Sequence, residues 1–321
     1  FRACHFISSD LKKNPSNLIN YIKYNVRDTN FVDSLINKMN LLPLTHQIST
    51  LSGLQWSKTI GGPFKGARQS AHCDRLLLLT FSEEGYIIPE TRDIEDEYKY
   101  MSVHNEQVLQ GGHVIDPQSS LYENCTISLD YNSLYPSIIR EYNLCFSTIH
   151  DKADLTDDDR IALAQNAQKK PMGILPKIMA NLLEARSKVR QELKEVETHI
   201  SHNNTGNDES WLLKEKKLKI QQKSIKILSN AMYGCLAYPY SRFPSKLIAS
   251  IITCMGRFIL QNTVDKLQEM EQVVVYGDTD SVMISTNTKN WIEALERAEI
   301  ISNEISSQYS FLKLGVDSIF V

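Results

Sequence analysis

Between Gln272 and Ser285 the chain reads Gln-Val-Val-Val-Tyr-Gly-Asp-Thr-Asp-Ser-Val-Met-Ile-Ser. Two runs rich in β-formers flank a Gly-Asp-Thr-Asp segment of turn-formers, so the stretch has to double back as a β-hairpin. The turn carries two aspartates, Asp278 and Asp280, separated by one residue. Apolar strands do not usually end in paired carboxylates without a counter-charge. A divalent cation would supply one, and hard oxygen ligands on a rigid turn suit Mg²⁺. The other reading is an Asp-rich turn open to solvent, since Asp is a common turn residue.

A further carboxylate sits in Ser128-Leu129-Asp130-Tyr131-Asn132-Ser133-Leu134-Tyr135-Pro136-Ser137-Ile138. Cys125–Asp130 reads as a strand that delivers Asp130 at its end, and Pro136 stops the strand from continuing. Backbone N–H groups converging in such a turn can cradle a phosphate, which would stand beside Asp130. The plainer reading is an N-cap region for a helix starting near Pro136. A third group lies in Lys226-Ile227-Leu228-Ser229-Asn230-Ala231-Met232-Tyr233-Gly234. On a helix, Lys226, Asn230 and Tyr233 share one face, opposite the apolar Ile225, Leu228 and Met232. A Lys to pair with phosphate and a Tyr to stack on a base suit a nucleotide site. Arg186 and Arg190, one helical turn apart, could meet the same anion. Taken singly, each is equally an ordinary residue of an amphipathic helix.

The remaining pattern is mainly helical. Residues 15–41 place Leu18, Ile19, Ile22, Val26, Phe31, Val32, Leu35 and Ile36 at helical spacing, and Pro43 ends that pattern. Leu76–Phe81 reads as a buried strand. Pro176–Ile200 and Trp211–Ala237 read as long helices joined by the polar, turn-rich Ser201–Ser210, hence an antiparallel hairpin. Lys246–Met270 predicts a further helix and Asp317–Val321 a strand. Gly61-Gly62-Pro63 predicts a loop, Glu90–Tyr100 an exposed charged stretch, Gly111-Gly112 a turn and Asp151–Lys170 a surface excursion.

Composition narrows the class. A chain of 321 residues suffices for two or three domains. Apolar runs such as Leu76–Leu79 and Val273–Tyr276 are far too short to span a bilayer, so no membrane partner is expected. The six cysteines include no C-x-x-C pair, which argues against a zinc site. Their low number points to a reducing intracellular compartment. The net charge of −3 gives the whole chain no basic field for nucleic acid. Residues 186–226 nevertheless hold ten Lys and Arg against six Asp and Glu. That stretch suits phosphate or nucleic acid, or equally a solvated helix face. The chain starts at Phe1 without a signal-peptide pattern and ends at Val321 in a strand-like run, which suggests a piece of a longer polypeptide.

Together, in this order and spacing, Asp130–Ile138, Lys226–Gly234 and Tyr276–Ser281 resemble the three polymerase motifs of the family B DNA polymerases. The resemblance covers nearly the whole chain. Six flanking stretches look most like the alpha-type, primer-extending branch of that family. They are Leu42-Pro43-Leu44-Thr45, Gly111-Gly112-His113-Val114-Ile115-Asp116-Pro117, Asn143-Leu144-Cys145-Phe146-Ser147-Thr148, Gly173-Ile174-Leu175-Pro176, Met232-Tyr233-Gly234-Cys235 and Ser285-Thr286-Asn287-Thr288. The delta, zeta and viral branches share the motifs but match these flanks less well.

The resemblance implies an α+β right-hand fold. A palm of antiparallel sheet backed by helices would carry helical-hairpin fingers and the end of an exonuclease-like domain, with the thumb absent. The implied division is 1–80 exonuclease-like, 81–105 a connector returning to an N-terminal domain, 106–172 first part of the palm, 173–236 fingers and 237–321 second, truncated part of the palm. The implied reaction is DNA-directed nucleotidyl transfer onto a primer 3′-hydroxyl with two Mg²⁺ ions. Asp130 and Asp280 would bridge the ions, the Tyr131 carbonyl would complete one shell, and Asp278 would be a less direct ligand. Asn132, Ser133, Leu134, Tyr135, Arg186, Arg190, Lys226, Asn230 and Tyr233 would bind the nucleotide, with Tyr135 as the sugar gate.

The implied partners are primer–template DNA or RNA-primed DNA, deoxynucleoside triphosphates, primase and an accessory B subunit, and the implied compartment is the nucleus. Two positions depart from the family pattern. Ala231 stands where Ser is usual, and Leu109 stands where an aromatic usually precedes the paired glycines. Tyr24-Asn25-Val26-Arg27-Asp28 has the Y-x-x-x-D spacing of the last exonuclease motif. Alpha-type relatives lack proofreading, so the preferred reading is two helix residues one turn apart. Two competing functions stay open. An inactive DNA-binding relative would have lost a metal carboxylate, and a two-metal nuclease or phosphatase would not need the Lys226, Asn230 and Tyr233 helix.

Overall fold

A computed structural model describes residues 18–60, 69–88, 110–150, 155–202, 209–238 and 241–320. Gly61-Gly62-Pro63, Glu90–Tyr100, Leu109, most of Ser201–Ser210 and the first residues of the 151–170 excursion lie outside the described residues. In chain order the helices α1 (Leu18–Lys38), α2 (Leu41–Ser52), α3 (Trp56–Ile60) and α4 (Gln69–Glu83) precede the first strands, β1 (Val114–Ile115) and β2 (Thr126–Tyr131). Helices α5 (Leu134–Glu141), α6 (Asp157–Gln168), α7 (Ile174–His202), α8 (Glu209–Ala237) and α9 (Lys246–Glu269) follow. The chain then forms the hairpin β3 (Val273–Asp278) and β4 (Ser281–Ser285), helix α10 (Trp291–Ser306) and strand β5 (Leu314–Phe320).

The strands form one antiparallel sheet in the order β1-β3-β4-β2-β5, so the architecture is α+β with a helical majority. Side chains alternate along each strand. In β2 that sends Ile127, Leu129 and Tyr131 to one face, where all three are buried. Val282 and Ile284 of β4 join them there. Helices α9 and α10 cover this face. Each fully buried aliphatic side chain contributes about 1.5–3 kcal/mol, so this face anchors the sheet. Ser128, Asp130, Ser281 and Met283 are left on the opposite face, where they are only partly buried.

Helix α9 is apolar enough and long enough to cross a bilayer, but 67% of its most apolar stretch is buried against protein. It is the core helix behind the sheet. Helices α7 and α8 form the antiparallel pair read from the sequence. Lys214–Glu192 at 3.0 Å, Lys219–Glu197 at 3.1 Å and the stacked rings of His199 and Trp211 at 4.1 Å join them. Helix α8 is also flanked by α2 and α4.

Three sequence expectations are corrected. Leu76–Phe81 is part of helix α4, not a strand. The four leucines hide a helical spacing that the packing reveals: Cys73, Leu77 and Phe81, four residues apart, are the buried positions. The helical run from 18 breaks at Asn40, which is left-handed at φ 50°, and not at Pro43. Pro43 is accommodated in the first turn of α2, where a missing N–H costs nothing. The 151–170 excursion is not wholly superficial. It contains α6, started by a capping box between Thr156 and Asp159, and Ala164 and Ala167 are buried. Sequence pattern assigned no element to residues 286–313, where α10 forms behind an Asn290 cap.

Candidate active site

Antiparallel pairing brings the two sequence-predicted carboxylate segments together. Asp130 lies opposite Ser281 across the β2–β4 ladder. The N–H of Tyr131 donates to the Asp280 carbonyl at 2.8 Å. Asp130 points to the face opposite α9 and α10, while the Tyr131 ring turns inward and its hydroxyl meets Thr263 Oγ1 at 2.8 Å. Only the backbone of Tyr131 can therefore serve the site. Asp278 pairs with Ser281, leaving Thr279-Asp280 as a two-residue turn. Thr279 takes the left-handed conformation at φ 49° and its hydroxyl donates to Asp278 Oδ1 at 2.9 Å.

Burial, then the charges of Asp280 and Asp317, push the Asp130 carboxyl up from 3.8 to about 6, with Lys226 opposing. The Asp280 carboxyl is also raised, by burial and by Asp278, and Lys226 opposes that shift too. Lys226 is thus within electrostatic reach of both. Half-buried carboxylates that repel one another favour a proton or a cation. Among the described residues no group of three or more His, Cys, Asp or Glu comes together as a metal cage. Asp130 and Asp280, with a backbone carbonyl such as that of Tyr131, would make only a sparse donor set. That suits Mg²⁺, which keeps waters and takes its remaining oxygens from substrate phosphates.

Several of the nucleotide-binding candidates meet beside these carboxylates. Ser133 is left-handed at φ 52° and α5 begins at the next residue. The first-turn N–H groups of a helix have no intrahelical partner, whereas the Asn132 N–H just before them donates to the Lys313 carbonyl at 2.9 Å. The Leu134 side chain is buried in the core and contributes only backbone. Arg186 Nη1 donates to Ser133 Oγ at 2.8 Å, and Arg186 Nε donates to Gln222 Oε1 at 3.1 Å. That pair of bonds ties α7 and α8 to the turn after Asp130. Burial and the nearby charge of Arg190 both work against the Arg186 cation, an arrangement that favours an added anion. Arg190 itself is exposed, as are Lys226 and Asn230 on α8. The Tyr135 and Tyr233 rings lie 4.6 Å apart at 40°. Tyr135 also lies against the backbone of Gly256 on α9.

Two residues at this site were not singled out in the sequence. Gln222 stands one helical turn before Lys226, a spacing that could have flagged it. Asp317 adds its charge to Asp130 from β5, across a bulge in the β2–β5 pairing, and nothing local marks it.

Residues 64–321 match the model of DNA polymerase family B. The chain is also similar to DNA polymerase alpha catalytic subunits. It is 34% identical to that of Xenopus laevis over 311 residues, covering 91% of this chain and 20% of the relative. It is 33% identical to that of Mus musculus, covering 95% of this chain and 21% of the relative. It is 33% identical to that of Saccharomyces cerevisiae, covering 88% of this chain and 18% of the relative. The chain thus spans about a fifth of the length of the curated relatives it matches. One continuous family match takes in the Asp130 strand, the long helix pair and the Asp278–Asp280 hairpin, and on that ground the chain belongs to DNA polymerase family B.

Proposed function

We propose that this chain carries the nucleotidyl-transfer centre of an alpha-type, DNA-directed DNA polymerase. The observation that carries the reading is the convergence of Asp130, Asp280 and Lys226 on one face of the sheet, beside the Ser133–Arg186 bond. In this reading the five-stranded sheet with α5, α6, α9 and α10 is the palm. The α7–α8 pair is the fingers, and the segment up to α4 is the end of an exonuclease-like domain. The other partners follow from the same reading: primer–template DNA or RNA-primed DNA, primase and an accessory B subunit, in the nucleus.

Asp130, Asp280 and the Tyr131 carbonyl would hold two Mg²⁺ ions, which when bound supply positive charge to the attacking and leaving oxygens. Arg186 and Lys226 would hold the triphosphate, with Arg190 adding positive potential. The N–H groups from Ser133 to Tyr135 would fix its orientation; that of Asn132, expected from the sequence to join them, is taken by the Lys313 carbonyl at 2.9 Å. The contribution of the protein is positioning and charge placed in advance, as in other phosphoryl transfers. A metal-dependent primer-extension assay on the full-length polypeptide tests the reading. Metal-dependent degradation of DNA without extension would favour a nuclease, and duplex binding without either activity would favour an inactive relative.

Lys226→Ala and Arg186→Ala are each expected to lower kcat/KM for the nucleotide about ten- to a hundredfold, as loss of a charge-assisted phosphate contact does. Steady-state kinetics at varied nucleotide concentration would check this. An effect confined to primer affinity would contradict the assignment. Tyr135→Ala is expected to raise ribonucleotide incorporation relative to deoxynucleotide by about tenfold or more, because in this reading the ring, held beside Tyr233 and Gly256, would stand under the sugar and clash with a 2′-hydroxyl. An unchanged ratio in single-nucleotide incorporation would move the gate elsewhere. Tyr24 and Asp28 lie one turn apart on α1, both exposed, and no proofreading role is proposed for them.

A further inference from the structure

Arg257, on the core helix α9, makes contacts that the reading so far leaves unused. Its side chain is 14% exposed. Nη2 pairs with Asp157 Oδ2 at the start of α6 at 2.9 Å. Nη1 donates to the Gly111 carbonyl at 3.0 Å and approaches that of Gln110 at 3.4 Å. The chain from Gly111 then runs directly onto the Asp278–Ser281 turn. At Gly112 a side chain would force Thr279 to shift, since a Cβ would stand 2.4 Å from Thr279 Oγ1 and 2.8 Å from Thr279 Cγ2. The His113 carbonyl accepts the Thr279 N–H at 2.8 Å, and Val114 pairs with Asp278.

Thr279 needs this support. A β-branched residue in the left-handed region is strained and persists only where its surroundings impose the conformation. The surroundings here are Gly112 and His113, held on one side by the pairing of Val114 and Ile115 with Asp278 and Gly277 and on the other by the Arg257 bond to Gly111. The next residue is Asp280. A partly exposed ion pair by itself contributes little, about 0–1 kcal/mol. The guanidinium does more than pair, because its planar fork serves a carboxylate and two carbonyls in different directions, which a lysine ammonium on its flexible stem does not reproduce.

We propose that Arg257 is a positioning residue for Asp280: by pinning residues 110–111 to α9, with its guanidinium oriented by Asp157 of α6, it helps seat Gly112 and His113 on Thr279, and so sets the turn that aims Asp280 at Asp130. The catalytic half of this proposal rests on the polymerase reading. The structural half does not. Helix α6 thereby becomes part of the support of the site, through Asp157.

The test is amide hydrogen exchange in the full-length polypeptide, compared with primer extension by the same samples. In Arg257→Ala the turn peptide 276–283 is expected to exchange roughly tenfold faster, the loss that follows removal of a charge-assisted bond. Amides of β2 and of α10 should stay unchanged. Arg257→Lys should fall between Arg257→Ala and the unaltered protein. Asp157→Asn, at a half-exposed position that should not affect folding, should give a smaller rise in the same peptide. The kcat for incorporation should drop about tenfold in Arg257→Ala, with primer–template affinity unchanged. Unaltered exchange at the turn in both Arg257 variants, or a uniform rise across the sheet, would overturn the proposal. Faster exchange at the turn with unchanged kcat would overturn its catalytic half. Failure of the unaltered polypeptide to extend primers with any divalent metal would instead sink the polymerase reading, and the exchange data alone would then judge the tie.

Discussion

Asp130→Ala or Asp280→Ala in the full-length polypeptide is expected to reduce nucleotide incorporation by a factor on the order of a thousand or more, because each removes one of the two side chains proposed to hold the metal ions. Primer–template affinity should change little, since it rests on Lys and Arg contacts to phosphate. Single-turnover incorporation measured beside duplex binding checks both halves. Extension at near-normal rate by either variant would rule out the assignment.

The same carboxylate predicts a stability effect of opposite sign. The Asp130 carboxyl titrates near 3.8 in the unfolded chain and at about 6 in the folded one. Between those values the folded state holds more protons than the unfolded state. Without metal, stability therefore rises as pH falls from above 6 toward 3.8, and at neutral pH the ionised group is a penalty. Asp130→Asn should remove that penalty and stabilise the metal-free protein at neutral pH by about 1 kcal/mol, a figure discounted for the partial exposure of the group. Mg²⁺ should raise the melting temperature of the unaltered protein and have much less effect on Asp130→Asn. Calorimetry with and without chelator, at pH values on either side of the shifted pKa, distinguishes the two. A metal-free protein less stable after Asp130→Asn would contradict the electrostatic account.

Asn143→Ala is expected to destabilise the fold by about 3 kcal/mol, since it truncates a buried side chain that satisfies several backbone groups. Asn143 is buried and left-handed at φ 52°. Its amide nitrogen donates to the carbonyls of Ala167 at 3.0 Å, Lys170 at 3.1 Å and Pro171 at 3.0 Å. Its side-chain oxygen accepts the Gly173 N–H at 2.8 Å. One residue thus closes the excursion that carries α6 and sets the start of α7. Truncation strands several backbone groups and leaves alanine in a conformation it disfavours. Asn143→Gly restores the conformational freedom but not the bonds, so it should recover only part of the loss. Urea unfolding of the three proteins measures this. A cost for Asn143→Ala below about 1 kcal/mol would show that water replaces these bonds.

Much of the site was legible in the sequence because its parts are local. The hairpin from Val273 to Ser285 is written in β-formers and in a turn that tolerates few other residues. The Asp130 strand and the face formed by Lys226, Asn230 and Tyr233 follow from periods of two and of 3.6 residues. The α7–α8 pair follows from two long amphipathic runs around a polar loop. Where the local signal was ambiguous, it failed. The leucines from Leu76 to Leu79 fit a buried strand as well as a helix, and only the partners on α2 and α8 decide for α4.

The sequence by itself determined the chemistry carried by each segment: the Asp130 strand, the Asp278–Asp280 turn, the Lys226 helix and the resemblance that joins them. The tertiary structure alone decided how those segments meet. It set the order β1-β3-β4-β2-β5, which makes β2 and β4 neighbours although the two long helices and α9 separate them in the chain. It brought Gln222 to Arg186, Asp317 to Asp130 and Arg257 to the Gly111 carbonyl. The physical reason is range. Turn chemistry and side-chain period act over a few residues and leave a trace in the sequence. A hydrogen bond or a charge acting between segments far apart in the chain depends on how apolar faces bury one another, and leaves none.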